Sequence, residues 1–173
     1  MQYEYSTTIP SNREMNKEQL FAKMALSAWE TQIGRATELV NGLSDEQLLN
    51  KIAPNKNRGI YLMGHLVAIH DAMNDILGLG KRTHVELDKA FVQNPDDSSA
   101  DLPSVSVLRQ YWNDVHRNLG SALKQLRPEE WFKRHNSMTD EDFAKEPHRN
   151  KLSVLINKTN HLAYHLGQLR LLK

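Results

Sequence analysis

Residues 160–169 read NHLAYHLGQL. Leu162, Leu166 and Leu169 recur at helical spacing, the mark of an α-helix with one packed face. The same stretch places His161 and His165 one turn apart. Residues four apart on a helix are offset by about 40° and rise about 6 Å, so two imidazoles can aim at one point. Working back along the chain, the helix starts near Lys151, and Leu152, Leu155 and Ile156 extend its packing side.

Three further long helices are predicted. The first runs from about Lys17 to Asn41, with Leu20, Met24, Trp29, Ile33, Ala36 and Val40 as its apolar set and Gly42 as its stop. The second spans about Arg58 to Leu79, carries Ile60, Tyr61, Met63, Leu66, Val67, Ile69 and Met73, and ends at GLG. The third opens at Pro103 or Ser104 and runs to about Leu126, burying Val105, Leu108, Trp112, Val115, Leu119 and Leu123. SDEQLL, from Ser44, is a short helix start with Ser44 and Gln47 as a capping box. KAFV, RPEEWF and TDEDFA read as single helical turns, and QNPDDSSADLP as a loop. Residues 1–16 read as an extended arm.

No alternating strand pattern occurs, so the expected fold is all-α: an up-down four-helix bundle with a long crossover, residues 80–103, between helices 2 and 3. There is also an internal echo. GLSDEQLL follows helix 1 as QLRPEEWF follows helix 3, and YLMGHL in helix 2 resembles TNHLAYHL in helix 4.

The chain has 173 residues, 39% of them hydrophobic and 25% charged, with a net charge of +1. That describes an ordinary globular protein, expected to be one domain over residues 1–173. The charge balance gives no pull toward nucleic acid or anionic membrane. With no cysteine in the sequence, disulfides, thiolate metal sites and cysteine nucleophiles are excluded. The N-terminal residues lack the apolar core of a secretory signal, and no apolar run approaches membrane-spanning length. The expected location is cytoplasmic. Leu26 and Leu43, which do not fit a single face, motivate a homodimer.

Two histidines on an apolar face are either core residues satisfied by hydrogen bonds or ligands sharing a cation. A borderline metal would want a third protein ligand. His65, inside YLMGHLVAIH, is the best candidate, and Gly64 beside it would admit a close backbone approach. His70 lies about 140° further round the helix and is assigned to the surface or rim. His116, in NDVHRNL, is assigned to the surface, and His84, His135 and His148 to solvated loops. The pattern excludes other chemistry: there is no HExxH, no Glu-x-x-His, no glycine-rich phosphate loop and no GxSxG elbow.

On GHL around His65 and NHLAYHLGQL in the last helix, the chain resembles the DinB/YfiT-like superfamily of metal-dependent enzymes. Its length and histidine positions look most like the YfiT, bacillithiol-transferase-like branch. In that family a helix-2 histidine and a helix-4 HxxxH pair, followed by Gly-Gln, ligate one divalent metal. The resemblance therefore implies His65, His161 and His165 as ligands of a nickel or zinc ion, with Gly167 and Gln168 matching the pair that follows. It also implies a small-molecule substrate, with a low-molecular-weight thiol as possible co-substrate. Such a site can activate water or a thiol, making a thiol-S-transferase or hydrolase. The alternative is a non-catalytic metal- or ligand-binding stress-response module. No catalytic base is assigned. Tyr61 and Asn157 each lie one turn before a candidate ligand and could reach the cavity or orient it. Gln168 could bond an imidazole N–H.

Overall fold

The computed structural model describes residues 15–97 and 99–173, so most of the expected N-terminal arm lies outside the described residues. The protein is all-helical, with only two isolated bridges, Lys51 to Arg58 and Arg134 to Asn150, among the described residues. The helices are α1 (Lys17–Gly42), α2 (Asp45–Leu49), α3 (Gly59–Asp71), α4 (Met73–Leu77), α5 (Leu87–Phe91), α6 (Val105–Gln125), α7 (Asp140–Lys145) and α8 (Lys151–Leu169). Short 3-10 turns occupy Pro128–Phe132 and Arg170–Leu172. None of the described helices is long and apolar enough to cross a membrane.

Local chemistry sets the helix starts. Asn16 and Gln19 form a capping box on α1, and Ser44 and Gln47 form one on α2. Each box satisfies backbone N–H groups that a helix start leaves free. Ser104, Thr139 and Asn150 cap α6, α7 and α8. The second predicted helix is interrupted at Ala72, giving α3 and α4, and it stops at Gly78, whose φ of 67° suits glycine.

α1 packs on α8 and α6, while α3 packs on α6, α5 and α8. Trp29 and Trp112 are buried as expected, and α6 buries the full predicted stripe. The face assigned to the start of α1 needs correction. Leu20 is 46% and Met24 59% exposed, whereas Ala22 is buried. The reason is register: Ala22, Trp29 and Ala36 repeat every seven residues, whereas Met24 and Trp29 are five apart, about 140° of rotation. Ile156 is likewise exposed. Leu43 is buried and Leu26 packs against the core, so neither motivates a second copy.

Two clamps hold the crossover against α3. At its N-terminal end, Arg58 donates to Asp96 from its backbone N–H at 2.7 Å and from its guanidinium at 2.6 Å. At the other end Asp71, with no exposed surface, accepts from the Thr83 N–H, the Thr83 hydroxyl and the His84 N–H, each at 3.0 Å, and from Arg82. Arg82 then pairs with Asp88 in α5 at 2.6 Å. α5 is thereby pressed onto α3 at Gly64. A Cβ there would lie 2.6 Å from two carbons of the Phe91 ring. The close approach expected at Gly64 is thus made by a phenylalanine ring and not by a backbone.

Candidate metal centre

His65 sits mid-way along α3, and His161 and His165 lie one turn apart on α8. Packing of α3 on α8 brings the three rings together. Ring centroids are 5.3 Å apart for His65 and His161, 5.2 Å for His65 and His165, and 4.4 Å for the α8 pair. One nitrogen from each ring lies within 4.8 Å of the other two, and among the described residues no carboxylate joins the group.

Hydrogen bonds decide which nitrogens face inward. His65 Nδ1 lies 2.7 Å from the Phe91 carbonyl oxygen. A carbonyl can only accept, so Nδ1 carries the proton and Nε2 is a lone pair. His165 Nδ1 donates to Gln168 Oε1 at 2.6 Å, which leaves its Nε2 bare as well. His161 Nε2 stands 3.0 Å from His165 Nε2. Burial, reinforced by His165, His65 and Lys158, pushes His161 down to a pKa of about 4. Burial also lowers His165, against the opposing effect of Gln168. At neutral pH both α8 imidazoles are uncharged, the form that binds metal.

The donor set fits a divalent ion. Ligand nitrogens about 2.0–2.1 Å from a zinc-sized ion lie about 3 Å or slightly more from one another, matching the α8 pair. Imidazole nitrogen suits zinc and nickel. Two of the three rings already donate their outer N–H to an oxygen, the arrangement that orients metal-bound histidines.

Gln168 Oε1 is the partner of His165 Nδ1. Tyr61 stacks on His65 with 8° between ring planes at 6.3 Å, and its hydroxyl donates to the Asn94 carbonyl at 2.7 Å. Burial, then Asp96, raises its pKa, so it stays a phenol. Asn157 is exposed and makes no side-chain hydrogen bond among the described residues. A cavity of about 590 Å³, lined by Tyr61, Lys89, Ala90, Asn94 and Asp101, adjoins the cluster at Tyr61 but contains none of the three histidines.

Gly64 controls this geometry through Phe91. Gly64→Ala forces the Phe91 ring to shift, at a cost of about 1–3 kcal/mol for overpacking, and moves the carbonyl that orients His65. Thermal denaturation and metal titration of the variant should show both losses.

Several histidine assignments are corrected. His70 has no exposed surface, and its Nδ1 lies 2.8 Å from His116 Nε2. His116 is only partly exposed and donates from Nδ1 to the Trp112 carbonyl at 2.8 Å. His84 stacks on Tyr111 at 3.9 Å, and His135 is half-buried; only His148 is exposed. α3 is apolar on nearly every side, and such a helix is buried all round. That signal in GIYLMGHLVAIHD would have placed His70 and Asp71 inside. His116 follows Trp112 by one turn, which carries it to the edge of the buried stripe.

No curated protein matches the sequence. A family model does, over residues 28–169, a span that takes in α3, α8 and all three converging histidines. On that match over most of its length, the chain belongs to the DinB superfamily.

Proposed function

We propose that the protein is a metal-dependent enzyme in which His65, His161 and His165 hold one nickel or zinc ion, and that it attacks a small electrophile with an activated thiol or water. The observation carrying this reading is the convergence of three imidazoles, two with the outer N–H already committed to an oxygen. Family membership supports the same reading, and the absence of a carboxylate from the group among the described residues fits a site with open positions. The four long helices α1, α3, α6 and α8 then form the up-down bundle of a single domain.

A divalent ion bound there supplies a Lewis acid that lowers the pKa of a coordinated water or thiol toward neutrality. The chain's own groups do the rest. Phe91 and Gln168 hold two rings in the ligand tautomer, and the Tyr61 ring lies parallel to that of His65. A thiol must come from outside, because the sequence has no cysteine. Thiol transfer, as in the YfiT-like branch, is the preferred reaction on the sequence resemblance, with hydrolysis second.

Metal analysis of the purified protein should find one nickel or zinc ion per chain. Metal-loaded and chelated protein, each assayed on an electrophile panel with and without a small thiol, test the chemistry. Turnover should need both metal and thiol. Rates indifferent to both would favour a non-catalytic binding module.

A further inference from the structure

Of the three clustered histidines, His161 alone lacks an outer partner. Its Nδ1 is buried and has no protein hydrogen-bond partner among the described residues. When Nε2 ligates the ion, Nδ1 must carry the ring proton. A buried N–H without an acceptor is costly, and metal-binding histidines almost always donate that proton to something.

A matching acceptor lies deeper in the core, and its tautomer can be worked out from the Trp112 carbonyl inward. That carbonyl accepts from His116 Nδ1–H, so His116 Nε2 is a lone pair. His70 must then donate from Nδ1 across the 2.8 Å contact. Burial pushes His116 down to about 4 and lowers His70 strongly, so both rings are neutral. His70 Nε2 is therefore bare, and it too is buried without a protein partner. Trp29 meets the His70 ring edge-on at 4.9 Å, and Trp112 lies 4.1 Å from His116, shielding the pair. α3 and α8, which carry His70 and His161, pack on each other, and the electrostatic effects of Lys158 and then His161 add to the lowering of His70. Lys158 makes no ion pair among the described residues.

We propose that His70 and His116 form a relay that holds the metal ligand His161 through one buried water. The water accepts from His161 Nδ1–H, donates to His70 Nε2, and takes a further hydrogen bond from a Lys158 Nζ–H. Three polar partners are what a buried water ordinarily has. The relay ends on the Trp112 carbonyl, so α6 braces a ligand carried by α8. His70 is a positioning residue: it touches neither metal nor substrate. This inference rests on the three-histidine reading above.

The test uses cobalt(II) as probe, with affinity by competition and the visible spectrum as readouts. His70→Asn keeps a donor for His116 but loses the acceptor at the Nε2 position. It should weaken cobalt binding about 10–100-fold, the usual cost of losing an outer partner, and alter the spectrum. His70→Gln places an amide oxygen near the Nε2 position and should bind within a few-fold of wild type. Equal losses in both variants, or none in either, overturn the relay while leaving the metal site standing. A wild-type chain that binds no cobalt, zinc or nickel overturns the metal reading and the relay together. Nitrogen NMR of the wild-type histidines reads the tautomers without any substitution. A proton on His70 Nδ1 is expected, and one on Nε2 overturns the relay.

Discussion

His161→Ala should lose its metal and its turnover together while keeping its helices. His161 is half-buried, with its Nε2 3.0 Å from His165 Nε2. Removing it leaves two ligands, one from α3 and one from α8, too few for the usual protein set of a zinc-type site. The affinity loss should exceed the roughly 10–100-fold expected when only an outer partner is removed. Far-ultraviolet circular dichroism should barely change, because α8 still buries Leu152, Leu155, Leu162 and Leu169. Metal content, circular dichroism and turnover measured on one preparation make the check. Full metal content in the variant would show that His161 is not a ligand.

The largest stability effect is expected at Asp71. This carboxylate has no exposed surface and gathers Arg82, Thr83 and the His84 amide. Asp71→Ala strands two amide donors and removes one partner of the Arg82 charge, a change that costs about 3 kcal/mol or more. The denaturant midpoint should fall with little change in slope. Metal affinity should fall too, since residues 82–84 anchor α5, whose Phe91 carbonyl orients His65. A loss under about 1 kcal/mol would mean the clamp is incidental to the fold.

The same carboxylate predicts a pH dependence. Burial raises its pKa, but hydrogen bonds from Thr83, His84 and Arg82 outweigh burial, and the folded value lies below 3.8. A depressed carboxylate stabilises fully above its unfolded pKa, and that contribution is lost as pH falls through the folded value. The stability margin of wild type over Asp71→Asn should therefore be constant near neutrality and shrink below pH 3.8. A margin that stays flat into acid would contradict the assignment.

What the sequence determined by itself is what depends on neighbours along the chain. The capping boxes at Asn16 and Ser44, the stop at Gly78 and the His161–His165 pair are settled within four residues, by hydrogen bonds and helical periodicity. His65 could be nominated from its apolar setting in mid-helix, but its pairing with them was strengthened by the family motif, because no local rule says that α3 meets α8. Tertiary packing alone decided the rest. It turned Leu20 and Met24 outward by seating the Ala22–Trp29–Ala36 line against the core. It also drew His70 and Asp71 inside, where each polar atom must find a partner from a distant segment: His116 from α6, and residues 82–84 from the crossover. Burial of a polar group is tolerable only when such partners arrive, and their arrival depends on how the helices pack, which no window of sequence contains.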